Sequence, residues 1–518
     1  ENVYIMAYVI GVDLGSTTLT CKIYNKDGNS ISFASEKVPY LYLTHGAVEI
    51  DPDDLWDLFL KVVKEAIKKS CLEPNAFQCI GISCQRSTII LWDRKTGSSY
   101  CNFISWQDTR CAGVTISYNQ SWTLKGINMI GFFLYTLCRH KMFLLMKVLK
   151  FKVNSGSMKL AWLLEVNPKL KEMLTEGKLS FGSIDTWFIW KLSKGKLYVT
   201  DPTNAIGTGL WNPFSNDWEL RLFGLPNSVM PSVMETSQFF CKIDYDVFGS
   251  SLSLNSVVSD VAAASFAQCC FNMGEISCIM GTGCFLSINC GSYLQASMTG
   301  LYPQVAWKIN NEYKYTCEAM VSGIASSIEW AKNIGLFDDV SKTSEIAFSV
   351  NDSGGVYFVP GFYGLSLPYN DPYSCGGFIG ISNHTTKSHM VRAILESIAF
   401  RLYETYQLAL GESTFTFKDV IKVCGGVSNN NFILQLMSSL TGCVIERSSD
   451  SEMSVLGAVY LAGLSHGVWK NKEEIKNMSQ PSSVFVPDIK IQSCYSKTYI
   501  TWVKAVKSWS YRNAKIFR

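Results

Sequence analysis

Two short turns carry the residue types that could hold a polyphosphate. In "YVIGVDLGSTTLTCKIYNKDG", residues 8–28, an apolar run ends at Asp13, turns through Gly15, Ser16, Thr17 and Thr18, and resumes as an alternating strand. In "GEISCIMGTGCFLSINCG", residues 274–291, a second run turns at Gly281, Thr282 and Gly283 and resumes in the same way. Such turns aim backbone N–H groups and hydroxyls at an anion, and two of them can serve one cleft. A carboxylate accompanies each: Asp13 at the first, and Asp260 in "SVVSDVAAASFAQCCF" just upstream of the second. Beside phosphates a carboxylate can hold Mg2+ through water; beside a hydroxyl it can accept the proton. Taken singly, each Asp would equally suit a helix or turn cap. The pairing, half a chain apart, is what points to phosphate.

These residues need elements to position them. Residues 8–13 and 19–24 pattern as a hairpin, with a third strand near 31–38. "DPDDLWDLFLKVVKEAIKKS" is a helix with acids in its first turn and lysines in its last, as the helix dipole prefers. "AFQCIGISC" and "STIILWDRKTG" read as further strands. Strands mixed with crossover helices predict an α/β fold. A chain of 518 residues exceeds one core, and the repeated grammar predicts two similarly built domains, residues 1–256 and 257–518, facing a shared cleft.

Bulk properties narrow the class. Lys+Arg 46 against Asp+Glu 43 is nearly balanced, which argues against a nucleic-acid surface. The 18 cysteines form no CxxC pair and sit largely in apolar runs, and the five histidines have no metal spacing. That cysteine usage leads to an expected reduced, cytoplasmic setting, and no stretch of the sequence as given resembles a targeting signal. "INMIGFFLYTLCRHKMFLLMKVL" is interrupted by Arg139, His140 and Lys141, and neither half reaches the ~18 apolar residues of a membrane span. A buried or interfacial helix pair is expected there ahead of membrane contact.

At this point the sequence resembles a known family. Paired turns after an Asp are similar to the actin/hexokinase/Hsp70-type ATPase fold with two RNase H-like domains, and within it to the FGGY carbohydrate kinases. The segment "GGFIGISNHTTKSHMVRAILESIAF" matches a family signature at Gly376, Phe378, Gly380, His389, Glu396 and Ser397. "NSGSMKLAWLLE" keeps Lys159, Leu160 and Trp162 of another. "FGSIDTWFIWKL", "VTDPTNA", "GTGCF", "YFVPGFYGLSLPYNDPY" and "GGVSNNNFILQ" resemble the glycerol kinase branch in order along nearly the whole chain, and "CQRSTIILW" with "ISWQD" resembles a divergent subgroup of it.

The resemblance implies ATP-dependent phosphorylation of a small polyol, glycerol first, with ATP and Mg2+ as cofactors and a dimer or tetramer left open. It places Ser16, Thr17, Thr18, Thr282, Gly426 and Asn430 on the nucleotide and Asp13 near the metal. It makes Asp260 the general base. Arg86 and Ser87 would meet the polyol hydroxyls, with Trp106 and Phe285 walling the carbon chain. Departures fall at the polyol side and near the phosphates: Ser87 for a glutamate, Asn154 for a tyrosine, Val261 for a glutamine, Thr20 for an arginine. Away from these, Cys424 replaces an aspartate, Ala325 a glycine and Glu329 a glutamine. These keep two alternatives open, a kinase for another polyol or sugar, and a pseudokinase-like nucleotide binder acting through a partner. A chaperone or cytoskeletal ATPase is disfavoured, because the FGGY signature has no place in one.

Overall fold

The computed structural model describes residues 7–281, 283–371 and 373–516, without the side chains of 510–516. Two sheets of the same design face each other. In the first, β1 (Tyr8–Leu14), β2 (Thr18–Tyr24) and β3 (Ser30–Lys37) form an antiparallel meander. The helix α1 (Pro52–Ser70) covers it, capped by the Asp51 carboxylate on the N–H groups of Asp53 and Asp54. β4 (Phe77–Cys84) then runs parallel to β1.

Two further helices, α2 (Trp122–Cys138) and α3 (Lys141–Val148), form a hairpin outside this sheet. β5 (Ser237–Ile243) and β6 (Leu252–Ser259) complete the first sheet, in the order β5-β6-β4-β1-β2-β3. β6 straddles the expected division at 256/257 and pairs with β4 from Ser253 to Ser259.

The second sheet repeats the plan. After α4 (Asp260–Ala267), β7 (Ile276–Met280) and β8 (Cys284–Asn289) form the second hairpin, extended by β9 (Tyr302–Ile309) and β10 (Glu312–Val321). The long helix α5 (Lys387–Glu412) precedes β11 (Val420–Cys424), parallel to β7. α6 (Asn431–Thr441), β12 (Val444–Ser448), α7 (Met453–His466) and β13 (Pro481–Phe485) follow, giving the order β9-β10-β8-β7-β11-β12-β13.

Between the sheets lie α4 and α7, in one buried cluster with Val9, Cys79 and Val258 of the first sheet and Cys424 of the second. Glycine permits this contact. A Cβ on Gly81 would stand 2.1 Å from the Ala458 carbonyl oxygen, and one on Gly457 would stand 1.9 Å from that of Ala263.

Of the buried or interfacial pair expected for the α2–α3 segment, the buried alternative fails. Leu124 and Gly131 pack inward, but Trp122, Met129, Ile130, Phe133 and Leu137 are exposed. All 18 cysteines are free thiols, and no helix among the described residues is long and apolar enough to cross a membrane.

Candidate active site

Parallel strands deliver the site. β1, β4 and β6 run the same way and end level, with Leu14 opposite Cys84 and Ser259 also opposite Cys84. The residues leaving these ends therefore meet: Asp13 and the Gly15–Thr18 turn, Gln85–Ser87, and Asp260. In the second sheet β7 and β11 end together at Ile279 and Cys424, releasing Gly281, Gly283, Gly425 and Gly426 toward the same space. Ligands of α/β folds lie at such carboxyl ends of strands. Here the ends enclose one cleft of about 610 Å3.

The sequence candidates Asp13, Ser16, Thr17, Thr18, Arg86, Ser87, Trp106, Asp260, Phe285 and Gly426 all line this cleft. Thr282 lies outside the described residues. Asn430 stands outside the cleft lining: its Oδ1 accepts from the Ile433 N–H as the cap of α6, and Nδ2 donates to Thr343 Oγ1 at 3.0 Å.

On the phosphate side, Ser83 donates to Asp13 Oδ1 at 2.7 Å, and Gln85 Nε2 donates to the Gly15 carbonyl at 3.1 Å. Burial, and then the nearby Asp260 charge, push the Asp13 carboxyl up to about 7. Trp106 Nε1 donates to Ser16 Oγ at 2.8 Å, so the apolar wall and the phosphate turn are one unit. The loop carrying Trp106 is braced by Arg110, which ion-pairs with Glu49 at 2.6 Å and Asp108 at 2.7 Å. Opposite, Gly425 has φ +90, and a Cβ there would lie 2.8 Å from the Met280 carbonyl. Only glycine fits this backbone approach.

On the polyol side, Asp260 opens α4. Burial raises its carboxyl above the ordinary range, and the Arg86 guanidinium opposes that shift. Arg86 Nη2 donates to Glu318 Oε2 at 2.8 Å, and its guanidinium lies 5.6 Å from the Phe285 ring centre. Ser87, in the left-handed region at φ +63, donates its hydroxyl to the Gly207 carbonyl at 2.6 Å. Lys159 reaches the carbonyls of Asn154 and Ser87, tying two cleft segments together. Val261 and Asn154 line the cleft, whereas Thr20 is buried away from it with Ser35.

Sequence reasoning missed several contributors. Glu318 is the buried acid of β10, and its partner lies 232 positions away. Gln304 and Tyr302 of β9 also line the cleft, and the buried Gln304 Oε1 has no partner among the described residues. Lys150 and Lys152 come from the end of the α2–α3 segment, with the Lys152 ammonium 4.5 Å from the Tyr302 ring centre.

A metal would find hard oxygen donors here. Asp13, Asp260 and Glu452 line the cleft, although no group of three His, Cys, Asp or Glu among the described residues is arranged to hold an ion by itself. That combination suits Mg2+, which takes one or two carboxylates and completes its shell with water and substrate phosphates.

Comparison with known proteins agrees with this architecture. Residues 8–266 match the N-terminal domain of the FGGY family of carbohydrate kinases and residues 276–466 match its C-terminal domain. Glycerol kinase 5 of Gallus gallus is 40% identical over 503 residues, covering 96% of each chain. Glycerol kinase of Borrelia duttonii is 34% identical over 97% of this chain and 100% of its own. Among solved structures, Plasmodium falciparum glycerol kinase with ADP superposes with a TM-score of 0.86 at 28% identity, covering 97% of this chain and 98% of that one. The xylulose kinase of Lactobacillus acidophilus shares the fold at a TM-score of 0.83 and 20% identity, over 99% and 100% of the two chains.

Proposed function

The chain belongs to the FGGY family of carbohydrate kinases, and from that premise we propose that it phosphorylates glycerol to sn-glycerol 3-phosphate with Asp260 as general base. It is an alcohol-phosphorylating kinase that uses ATP. The observation that carries the finer reading is the meeting of the buried Asp260 carboxylate and the Gly15–Thr18 turn in one cleft, with Arg86 paired to Glu318 and acting on Asp260.

In this reading the polyol lies against Trp106 and Phe285, and Arg86 donates to its hydroxyls. Asp260 takes the proton of the attacking hydroxyl as the oxygen approaches the γ-phosphorus, a role that contributes ~10²–10⁴-fold. The Arg86 charge opposes the upward push of burial on the Asp260 carboxyl and so favours its ionised, proton-accepting form. Ser16, Thr17 and Thr18 cradle the phosphates from one side, and Thr282 and Gly426 meet the nucleotide from the other. Asp13, with one oxygen fixed by Ser83, would hold Mg2+, which when bound neutralises charge on the transferred group. Lobe closure would exclude water, which otherwise competes as the acceptor.

A longer polyol is the second reading. The partnerless Gln304 amide oxygen and the Ser87 hydroxyl committed to Gly207 leave a wall less tailored to three carbons. A silent nucleotide binder finds no support in a site whose base, phosphate turn and first carboxylate are all present. The test is ATP-dependent phosphate transfer to glycerol and a polyol panel, beside an Asp260→Asn variant. Transfer to glycerol, lost by ~10²–10⁴-fold in the variant with MgATP binding kept, supports the reading. No transfer to any polyol overturns it.

A further inference from the structure

The α2–α3 hairpin presents a surface that the kinase chemistry does not use. In α2, Trp122, Met129, Ile130, Phe133 and Leu137 fall within an arc of about 100° at 3.6 residues per turn. That arc points away from the protein: Trp122 is 87% and Leu137 is 82% exposed, while Leu124 and Gly131 on the opposite side are buried. The stripe runs the length of a 17-residue helix, roughly 25 Å. Gly131 lets α3 press against α2 near Met146 and Lys147, so the stripe rides on a braced pair of helices.

The charge carried by the hairpin itself has one sign. From Trp122 to Val148 the sequence holds four Lys and Arg residues and no Asp or Glu. Several stand next to aromatic rings of the hairpin: the Lys125 ammonium is 5.1 Å from the Trp122 ring centre, and the Arg139 guanidinium is 5.4 Å from that of Tyr135. A wholly cationic segment with a solvent-facing apolar stripe complements a surface that is anionic throughout and apolar just beneath.

We propose that the α2–α3 hairpin docks this kinase on an anionic lipid surface, with the stripe buried among headgroups and acyl chains and the flanking cations on lipid phosphates. The helix is too short and too interrupted to span, so it lies in the interface plane. This reverses the weight that sequence alone gives to membrane contact, because the sequence does not reveal that the apolar side faces out. The segment continues into Lys150 and Lys152 at the cleft, so a docked enzyme would hold that edge of its cleft toward the membrane.

The test is flotation of the whole protein with phosphatidylcholine vesicles containing phosphatidylserine, beside vesicles of phosphatidylcholine alone. The wild type should float with the anionic vesicles, less with the neutral ones, and less as salt rises. A Phe133→Glu/Leu137→Glu variant should lose partitioning by tenfold or more on the scale of two exposed apolar contacts, with circular dichroism and kinase activity unchanged. Should that variant misfold, Trp122→Ser/Met129→Ser makes the same cut without adding charge. Failure of the wild type to float, or equal flotation of wild type and folded variant, overturns the proposal. So does a wild-type oligomer that the variant converts to monomer without vesicles, which would make the stripe a seam between copies.

Discussion

Neutralising Glu318 separates a residue that aims Arg86 from one that merely fills space. Glu318→Gln keeps the shape and one acceptor oxygen for the 2.8 Å hydrogen bond from Arg86 Nη2. What it removes is charge. Net hydrogen bonds to charged partners contribute about 1.5–3 kcal/mol and neutral ones about 0.5–1.5, so the change weakens the hold on Arg86 by about 1–1.5 kcal/mol. Because about 1.4 kcal/mol is tenfold, KM for the polyol should rise roughly 5- to 12-fold, with kcat altered less.

The pH profile gives a second reading. Asp260 must be ionised to accept a proton, so kcat/KM rises as pH passes upward through its pKa, which burial holds above the usual carboxylate range. Glu318 is a like charge near Asp260 and shares Arg86 with it. Its neutralisation leaves Arg86 more fully to Asp260, so the acidic limb should move to lower pH. Steady-state kinetics across pH decides the matter. A limb that moves up, or a KM that falls, would refute the reasoning, the latter because Glu318 would then compete with substrate for Arg86. A variant altered only in melting temperature would reduce the pair to a structural brace. Glu318→Ala should instead cost about 3–5 kcal/mol of stability, since it strands a buried cation.

Other outcomes follow from the same geometry. Trp106→Phe keeps the apolar wall but removes the 2.8 Å hydrogen bond to Ser16, so both polyol and ATP KM should rise a few-fold, on the scale of about 0.5–1.5 kcal/mol; a change confined to one substrate would mean the wall and the turn act separately. Gly457→Ala drives a Cβ to 1.9 Å from the Ala263 carbonyl, and denaturant unfolding should show a loss of about 3 kcal/mol or more, the upper end of overpacking costs. Asn430→Ala removes the α6 cap and should cost about 0.5–2 kcal/mol in the same assay; if Asn430 also meets adenosine, ATP KM rises beyond what the stability loss explains.

The phosphate turns were legible because their signal is local. Asp13 and Gly15–Thr18 lie within six residues, and the strands around them alternate cleanly enough to mark the hairpin. α1 was equally plain, since Asp53, Asp54, Lys68 and Lys69 announce its ends. The duplicated sheets followed from seeing that grammar twice. Glu318 was not legible, because its meaning lies in an Arg86 brought near only by the packing of one sheet against the other. Asn430 shows a different limit: a residue matching a nucleotide motif also has the right type and spacing for an N-cap, and its Oδ1 caps α6 here. The α2–α3 hairpin misled for a third reason. Apolar content predicts that a surface wants covering, and it does not say whether the same chain supplies the cover.

The seam of α4 and α7 decides where movement can go. Gly81 against the Ala458 carbonyl and Gly457 against that of Ala263 leave no slack, so the two halves cannot slide over one another there. The motion this seam opposes least is a swing about that line, like leaves about an axle. Points travel in proportion to their distance from an axle, and Asp260 is the first residue of a helix that forms part of it. A swing of that kind would carry the Lys150–Lys152 edge of the cleft further than the base. Such a machine can open wide for its substrates and still find its proton acceptor in the same spot on every stroke.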